Sequence, residues 1–162
     1  MTKPITRWMV LGFLLVVLTG CTPSFIKGTK IKATSQNQAI FDTIMRYERT
    51  MSAGKWAKLI NLVSPQFRET RGTPGNEKDD YGYDALREKL NNFATRNVRV
   101  LKFKVEVEKI EFEKPNVAKV YVLKQFAFLY PRGSKRRGFD TGSLPQMLVL
   151  QYEKGQWLFT RW

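Results

Sequence analysis

The hydrophobic period of this chain changes once, near Val98, and that change dictates its fold class. Before Val98, apolar side chains recur every three or four residues. Ile40, Ile44, Tyr47 and Met51 form one stripe, Trp56, Leu59, Ile60 and Val63 a second, and Tyr83, Leu86, Leu90 and Phe93 a third. Such spacing places side chains on one face of a helix. From Val98 to the end the period is two, which belongs to strands with one buried face. Helices first and strands after is the order of an α+β domain, with helices gathered on one face of an antiparallel sheet.

Local signals set the boundaries. Ser35-Gln36-Asn37-Gln38 has the form of a capping box, so the first helix is expected to start at Ser35. Gly54 is a natural stop just past its end. Ser64-Pro65 closes the second helix, with Phe67 in the core beyond it. Arg71 to Asp80 reads as an exposed loop, and Asp80 or Asp84 as the cap of a third helix from about Tyr83 to Phe93. In the first strand Val98 and Val100 share one phase, Phe103, Val105 and Val107 take the other, and Ile110 and Phe112 return. Two bulges, near Lys102 and Lys109, would put all of them on one face and curve the strand. Pro115-Asn116 is a turn. Val117 to Tyr130, apolar on both phases, reads as a central strand. Pro131 to Ser143 is a basic, glycine-rich loop, Leu144 to Glu153 a third strand, Lys154-Gly155 a tight hairpin, and Gln156 to Trp162 the last strand.

Composition removes whole classes of chemistry. The chain has no histidine, which excludes a Ser-His-Asp triad and the commonest metal ligand. Its one cysteine, Cys21, permits no intrachain disulfide and no thiolate metal cluster. No glycine-rich phosphate loop is present. No metal and no cofactor are expected.

The N-terminus carries an address. Lys3 and Arg7 precede the apolar run Met9 to Val17, which is too short to span a bilayer and is followed by Leu18-Thr19-Gly20-Cys21. Those four residues resemble the lipobox of bacterial lipoproteins. The resemblance implies that residues 1–20 are a signal peptide that is cleaved, that Cys21 is acylated, and that the product is held at a membrane of the cell envelope. Thr22 stands where an aspartate tends to retain lipoproteins at the inner membrane. That implies the outer membrane, facing the periplasm, in a Gram-negative host. Residues 21–34 then read as the lipidated cysteine and a flexible basic tether reaching roughly 20 Å.

Charge follows the same address. Lysine and arginine total 28 against 14 acids, and only Lys3 and Arg7 lie in the leader. Such an excess selects anionic partners. Beyond the inner membrane these are lipid headgroups and peptidoglycan rather than nucleic acid. Arg132, Lys135, Arg136 and Arg137, spaced by glycines, form the sharpest candidate for an anionic partner.

Residues 35–162 resemble the NTF2-like superfamily, which includes SnoaL-type and ketosteroid-isomerase-like domains. The resemblance rests on Tyr47 late in the first helix, Ala53-Gly54-Lys55-Trp56, Leu59-Ile60, Leu62-Val63-Ser64-Pro65-Gln66-Phe67 and the last hairpin Gly155-Gln156-Trp157-Leu158-Phe159. It implies a cone in which the helices pack on a curved sheet of about four long strands. It also implies one of three roles: binding a small apolar ligand, isomerisation or dehydration, or docking and dimerisation. Enzymes of the superfamily use a carboxylate or histidine inside the cone. Here Glu106, Glu108, Glu111 and Glu113 fall on the phases opposite the apolar residues, and Asp42 and Glu48 lie off the first helical stripe. No acid is expected to be both buried and near a tyrosine. The reading is therefore a non-catalytic envelope module that docks a protein complex or an anionic lipid or wall component, with a homodimer among its partners. The alternative is a small-ligand binder or isomerase-like enzyme. Tyr47, Trp56, Phe67, Tyr121 and Trp157 are the candidate lining of the cone.

Overall fold

The computed structural model describes residues 24–69, 80–131, 133 and 138–162. Cys21 and its leader, nearly all of the loop before Asp80, and the cations Arg132, Lys135, Arg136 and Arg137 lie outside the described residues.

The first helix, α1 (Ser35–Ser52), buries Ile40, Ile44, Tyr47 and Met51, the stripe its spacing predicts. Its cap sits one residue earlier than expected. Thr34 Oγ1 accepts the Asn37 N–H at 3.1 Å, and Gln38 reaches forward to Asp42 rather than back. Any short hydroxyl satisfies this orphan amide, so Thr34 and Ser35 were near-equivalent candidates. At the other end Gly54 takes φ +62°, with its N–H donating to Met51 O and the Lys55 N–H to Thr50 O. These are the two hydrogen bonds of a Schellman stop.

The second expected helix splits into α2 (Trp56–Leu59) and a 3₁₀ turn (Ile60–Leu62). Val63 is then extended and forms a parallel bridge to Phe159. Ser64 is fully buried. Its N–H donates to Phe159 O, and its hydroxyl donates to the Glu153 carboxylate, 2.9 and 3.1 Å from the two oxygens. This seryl link ties the helical layer to the last hairpin of the sheet.

Two short strands, β1 (Arg68–Glu69) and β2 (Tyr81–Gly82), pair antiparallel ahead of α3 (Tyr83–Thr95). Neither Asp80 nor Asp84 caps α3. Gly82, which has no side chain to offer a capping bond, holds the cap position, and Asp84 lies in the first turn.

Four strands follow, β3 (Arg99–Lys114), β4 (Val117–Leu129), β5 (Phe139–Glu153) and β6 (Gln156–Arg161), forming one antiparallel sheet in the order β3-β4-β5-β6. The register of β3 shifts between Val100 and Lys102 and between Val107 and Lys109, where two bulges were expected, and again between Phe112 and Lys114. The shifts bring Val100, Phe103, Val105, Val107 and Ile110 into one core. β5 starts at Phe139 rather than Leu144, because β4 offers pairing partners as far as Leu129. Gly142 makes that extension feasible, since a Cβ there would lie 2.9 Å from the Phe126 ring. At the last hairpin Lys154 and Gly155 have φ of 48° and 86°, the positive pair of a tight turn.

The expected flexible tether is a correction. Phe25 bridges Lys32, Ile26 N–H donates to Ile31 O at 2.8 Å, and Ile26 and Ile31 are buried in the core. Two isoleucines five positions apart match neither helical nor strand spacing. A turn around Gly28, at φ +78°, folds them together.

Candidate functional site

The inward phase of β4 reads Ala118, Val120, Val122, then Lys124, Phe126 and Phe128. The first three are at most 1% exposed, and with Ile40, Ile44, Leu148, Leu150 and Phe159 they form a dry floor. At Lys124 the character changes. Its cross-strand neighbours are Val105 and Leu144, and its ammonium lies 5.9 Å from the centre of the Tyr47 ring. Burial lowers the Lys124 pKa to about 8, and the nearby Glu69 carboxylate acts in the opposite direction.

Around this point the rings close ranks. Tyr47 stacks on Trp162 at 5.6 Å and meets Phe103 and Phe159 at 5.4 and 5.3 Å. Phe67 packs edge-on against Trp162 at 5.2 Å and reaches Tyr81 at 6.1 Å. Glu69 accepts the backbone N–H of Trp162 at 3.2 Å, which holds that residue beside Tyr47. Desolvation, and secondarily the proximity of Tyr81, raises the Tyr47 pKa well above the ordinary phenol value, so its hydroxyl stays protonated.

A cavity of about 330 Å³ opens on the helical side of this cluster, between α1, α2, α3 and Trp162. Among the described residues its lining includes Tyr47, Trp56, Tyr81, Phe93 and Trp162, with Lys89 as its one cation and no carboxylate. Lys89 Nζ lies 3.2 Å above the Tyr81 ring. A larger hollow of about 790 Å³ lies outside the cone, between the 27–30 turn, α1 and β3. There Glu48 accepts the Val105 N–H at 2.7 Å and Ser52 donates to Phe103 O, so side chains of α1 occupy the edge of the sheet.

Of the five expected lining residues, the cavity takes Tyr47 and Trp56. Phe67 is buried behind Tyr81 and Trp162. Tyr121 lies on the opposite phase of β4, beside Lys109 and a shallow hollow shared with Glu108 and Met147. Trp157 is buried at the far end of the sheet against Phe112 and Tyr152. The strand period explains both: Tyr121 is out of step with Val120 and Val122, and Trp157 sits at the turn that ends β5. The outer acids follow the sequence reading in the main, with Glu106, Glu108 and Glu113 exposed and Glu111 partly covered and paired with Lys109. Glu69, which that reading did not consider, is a partly buried acid at the edge of the Tyr47–Trp162 cluster. Lys124 is not among the residues expected at the site, although its signal lies in the strand period: it is the lysine in step with the inward valines of β4.

No family model and no curated protein matches the sequence. Solved structures do match. A ketosteroid isomerase-like protein from Erwinia carotovora aligns with a TM-score of 0.61 at 14% identity, covering 79% of this chain and 93% of that one. A conserved protein from Planctomyces limnophilus aligns with 0.60 at 15%, covering 78% and 92%. An NTF2-like protein from Rhodospirillum rubrum, described as of unknown function in nutrient uptake, aligns with 0.58 at 12%, covering 75% and 93%. Identities this low speak to architecture, and the architecture of this chain is the NTF2-like α+β cone.

Proposed function

We propose that this chain is a lipid-anchored envelope protein whose NTF2-like cone binds a small ligand with an aromatic or apolar body. The observation that carries the reading is the ring-lined cavity of about 330 Å³, a size within the range of ligand pockets, roughly 300–1,000 Å³. Tyr47, Trp56, Tyr81, Phe93 and Trp162 offer flat apolar faces, and Lys89 and the two phenols offer polar contacts that would orient a bound molecule. Among the described residues the cavity lining is aromatic and aliphatic with Lys89 as its charged member, a composition suited to binding an apolar body.

The lipobox ending at Cys21 supports the anchor. With Ser24 already tied into the fold by the Ala33 N–H at 2.8 Å, a lipid on Cys21 would hold the domain within roughly 10 Å of the headgroups, at up to about 3.6 Å per intervening residue. Lys27 and Lys30 on the hairpin turn would then face an anionic leaflet.

Titrating methyl-labelled full chain with 2-naphthoate tests the binding reading. We expect saturable shifts at Leu59, Leu86 and Leu90, abolished by Leu90→Trp, which fills the space. Shifts confined to Leu101 and Leu144, which are exposed outside the cavity, would contradict it.

A further inference from the structure

Among the described residues the exposed large apolar side chains fall into two groups. Leu101, Phe139 and Leu144 lie toward the Leu129 end of β4, and Phe25, Phe112 and Tyr152 toward its Val117 end, the floor end of the cone. Phe112 pairs with Ala118, and Tyr152 lies two residues beyond Leu150, so both continue the inward phase of the sheet. Both rings lean on the buried Trp157, at 6.1 and 5.5 Å. Asn116 O accepts the Tyr152 N–H at 2.8 Å, which sets the β3–β4 and β5–β6 turns side by side.

The N-terminal hairpin reaches the same end. Glu48 bonds Val105 and Ser52 bonds Phe103, so α1 runs antiparallel to β3. Four helical residues match two strand residues, about 6 Å of each. Followed back at that rate, Thr34 comes level with Phe112, roughly 20 Å from Glu48. There the Ala33 N–H donates to Ser24 O, and Phe25 bridges Lys32.

Charge at this end is one-sided. Its acids are engaged: Glu111 with Lys109, Glu113 with Lys119, and Glu153 with the Ser64 hydroxyl. Lys32, Lys114 and Lys154 are exposed, and among the described residues none of them meets a carboxylate at ion-pair distance.

We propose that the floor end, with the adjoining 24–33 hairpin, is the face by which the domain lies on an anionic bilayer. Phe25, Phe112 and Tyr152 enter the headgroup layer, and Lys32, Lys114 and Lys154 hold lipid phosphates. The proposal rests on the reading that Cys21 carries a lipid, because Ser24, three residues on, brings the chain into the fold at this very end. Aromatic rings fringed by lysine are the composition that settles at a membrane interface. Each unpaired ammonium adds attraction to an anionic leaflet. A second copy of this chain fits the face poorly, since it would set lysines against lysines.

The test is paramagnetic broadening from the bilayer. Full chain purified from the membranes of the expressing cell is placed in nanodiscs of phosphatidylethanolamine and phosphatidylglycerol, with and without a gadolinium-chelating lipid. Intact mass records whether Cys21 is acylated. We expect the amides of Phe25, Phe112 and Tyr152 to broaden roughly fivefold more than those of Leu101 and Phe139. Replacing phosphatidylglycerol with phosphatidylcholine, or combining Lys32→Glu, Lys114→Glu and Lys154→Glu, should reduce that contrast to roughly half or less. Equal broadening at the two ends, or more at Leu101 and Phe139, overturns the proposal, as does a contrast that neither charge change alters. The phosphatidylcholine arm decides the matter should the triple variant not fold. Acylated Cys21 without the contrast refutes the face and keeps the anchor; the contrast with unmodified Cys21 refutes the anchor and keeps the face.

Discussion

Two halves of one strand face do opposite work. The first half of the inward phase of β4, Ala118 to Val122, is apolar and closed to water, packed in one core with Leu148, Leu150 and Phe159. Two residues further on, the same phase presents Lys124 to a cluster of phenols and indole. Backbone, register and neighbouring strands are continuous across the change. The floor stabilises through buried area, whereas Lys124 costs stability because its ammonium is desolvated. Proteins accept such local costs where a site needs a polar group in a dry place.

The largest expected effect lies at the floor. Phe159→Ala, which removes a fully buried ring packed on Tyr47, should lower unfolding free energy by about 4 kcal/mol in a denaturant titration. Lys124→Met should act in the opposite direction, raising stability at pH 7 by on the order of 2 kcal/mol, because it removes the desolvated ammonium. The sign follows from the protons. The folded lysine titrates near 8 and the unfolded one near 10.5, so between those values the unfolded chain holds more protons and stability rises with pH. Lys124→Met should flatten that rise, measured by urea denaturation across pH 7.5 to 10.5.

Smaller effects sharpen the contrast through the two ends of α1. Gly54→Ala strains a residue at φ +62° beside Trp56 and should cost about 1 kcal/mol while weakening 2-naphthoate binding. Thr34→Ala removes a cap at the opposite, floor-side end and should cost roughly 0.5 kcal/mol, leaving binding and the Lys124 titration unmoved.

Much of the architecture was legible because it depends on local periods. The α1 stripe, the Gly54 stop, the bulges near Lys102 and Lys109 and the Lys154-Gly155 turn all follow from nearest-neighbour chemistry. The errors arise where distant segments decide. Ile26 and Ile31 lie in a stretch without a period, and the core they join becomes visible only once the sheet exists. The early start of β5 depends on the length of β4 and on Gly142 beneath Phe126. The site was legible only in part. Tyr47 and Trp56 were found by helical spacing, but Glu69, Tyr81 and Trp162 meet through tertiary contacts no local pattern encodes. Lys124 is legible in the period of β4, as the lysine in step with Ala118, Val120 and Val122.

The most direct test of this division is the titration of Lys124 itself. In full chain carrying ¹³Cε-labelled lysine, with Lys124→Arg used to assign the signal, the account predicts a midpoint near 8, well separated from the surface lysines. A midpoint near 10.5, indistinguishable from the rest, would mean that this lysine is solvated and that the inward face of β4 has no desolvated polar end.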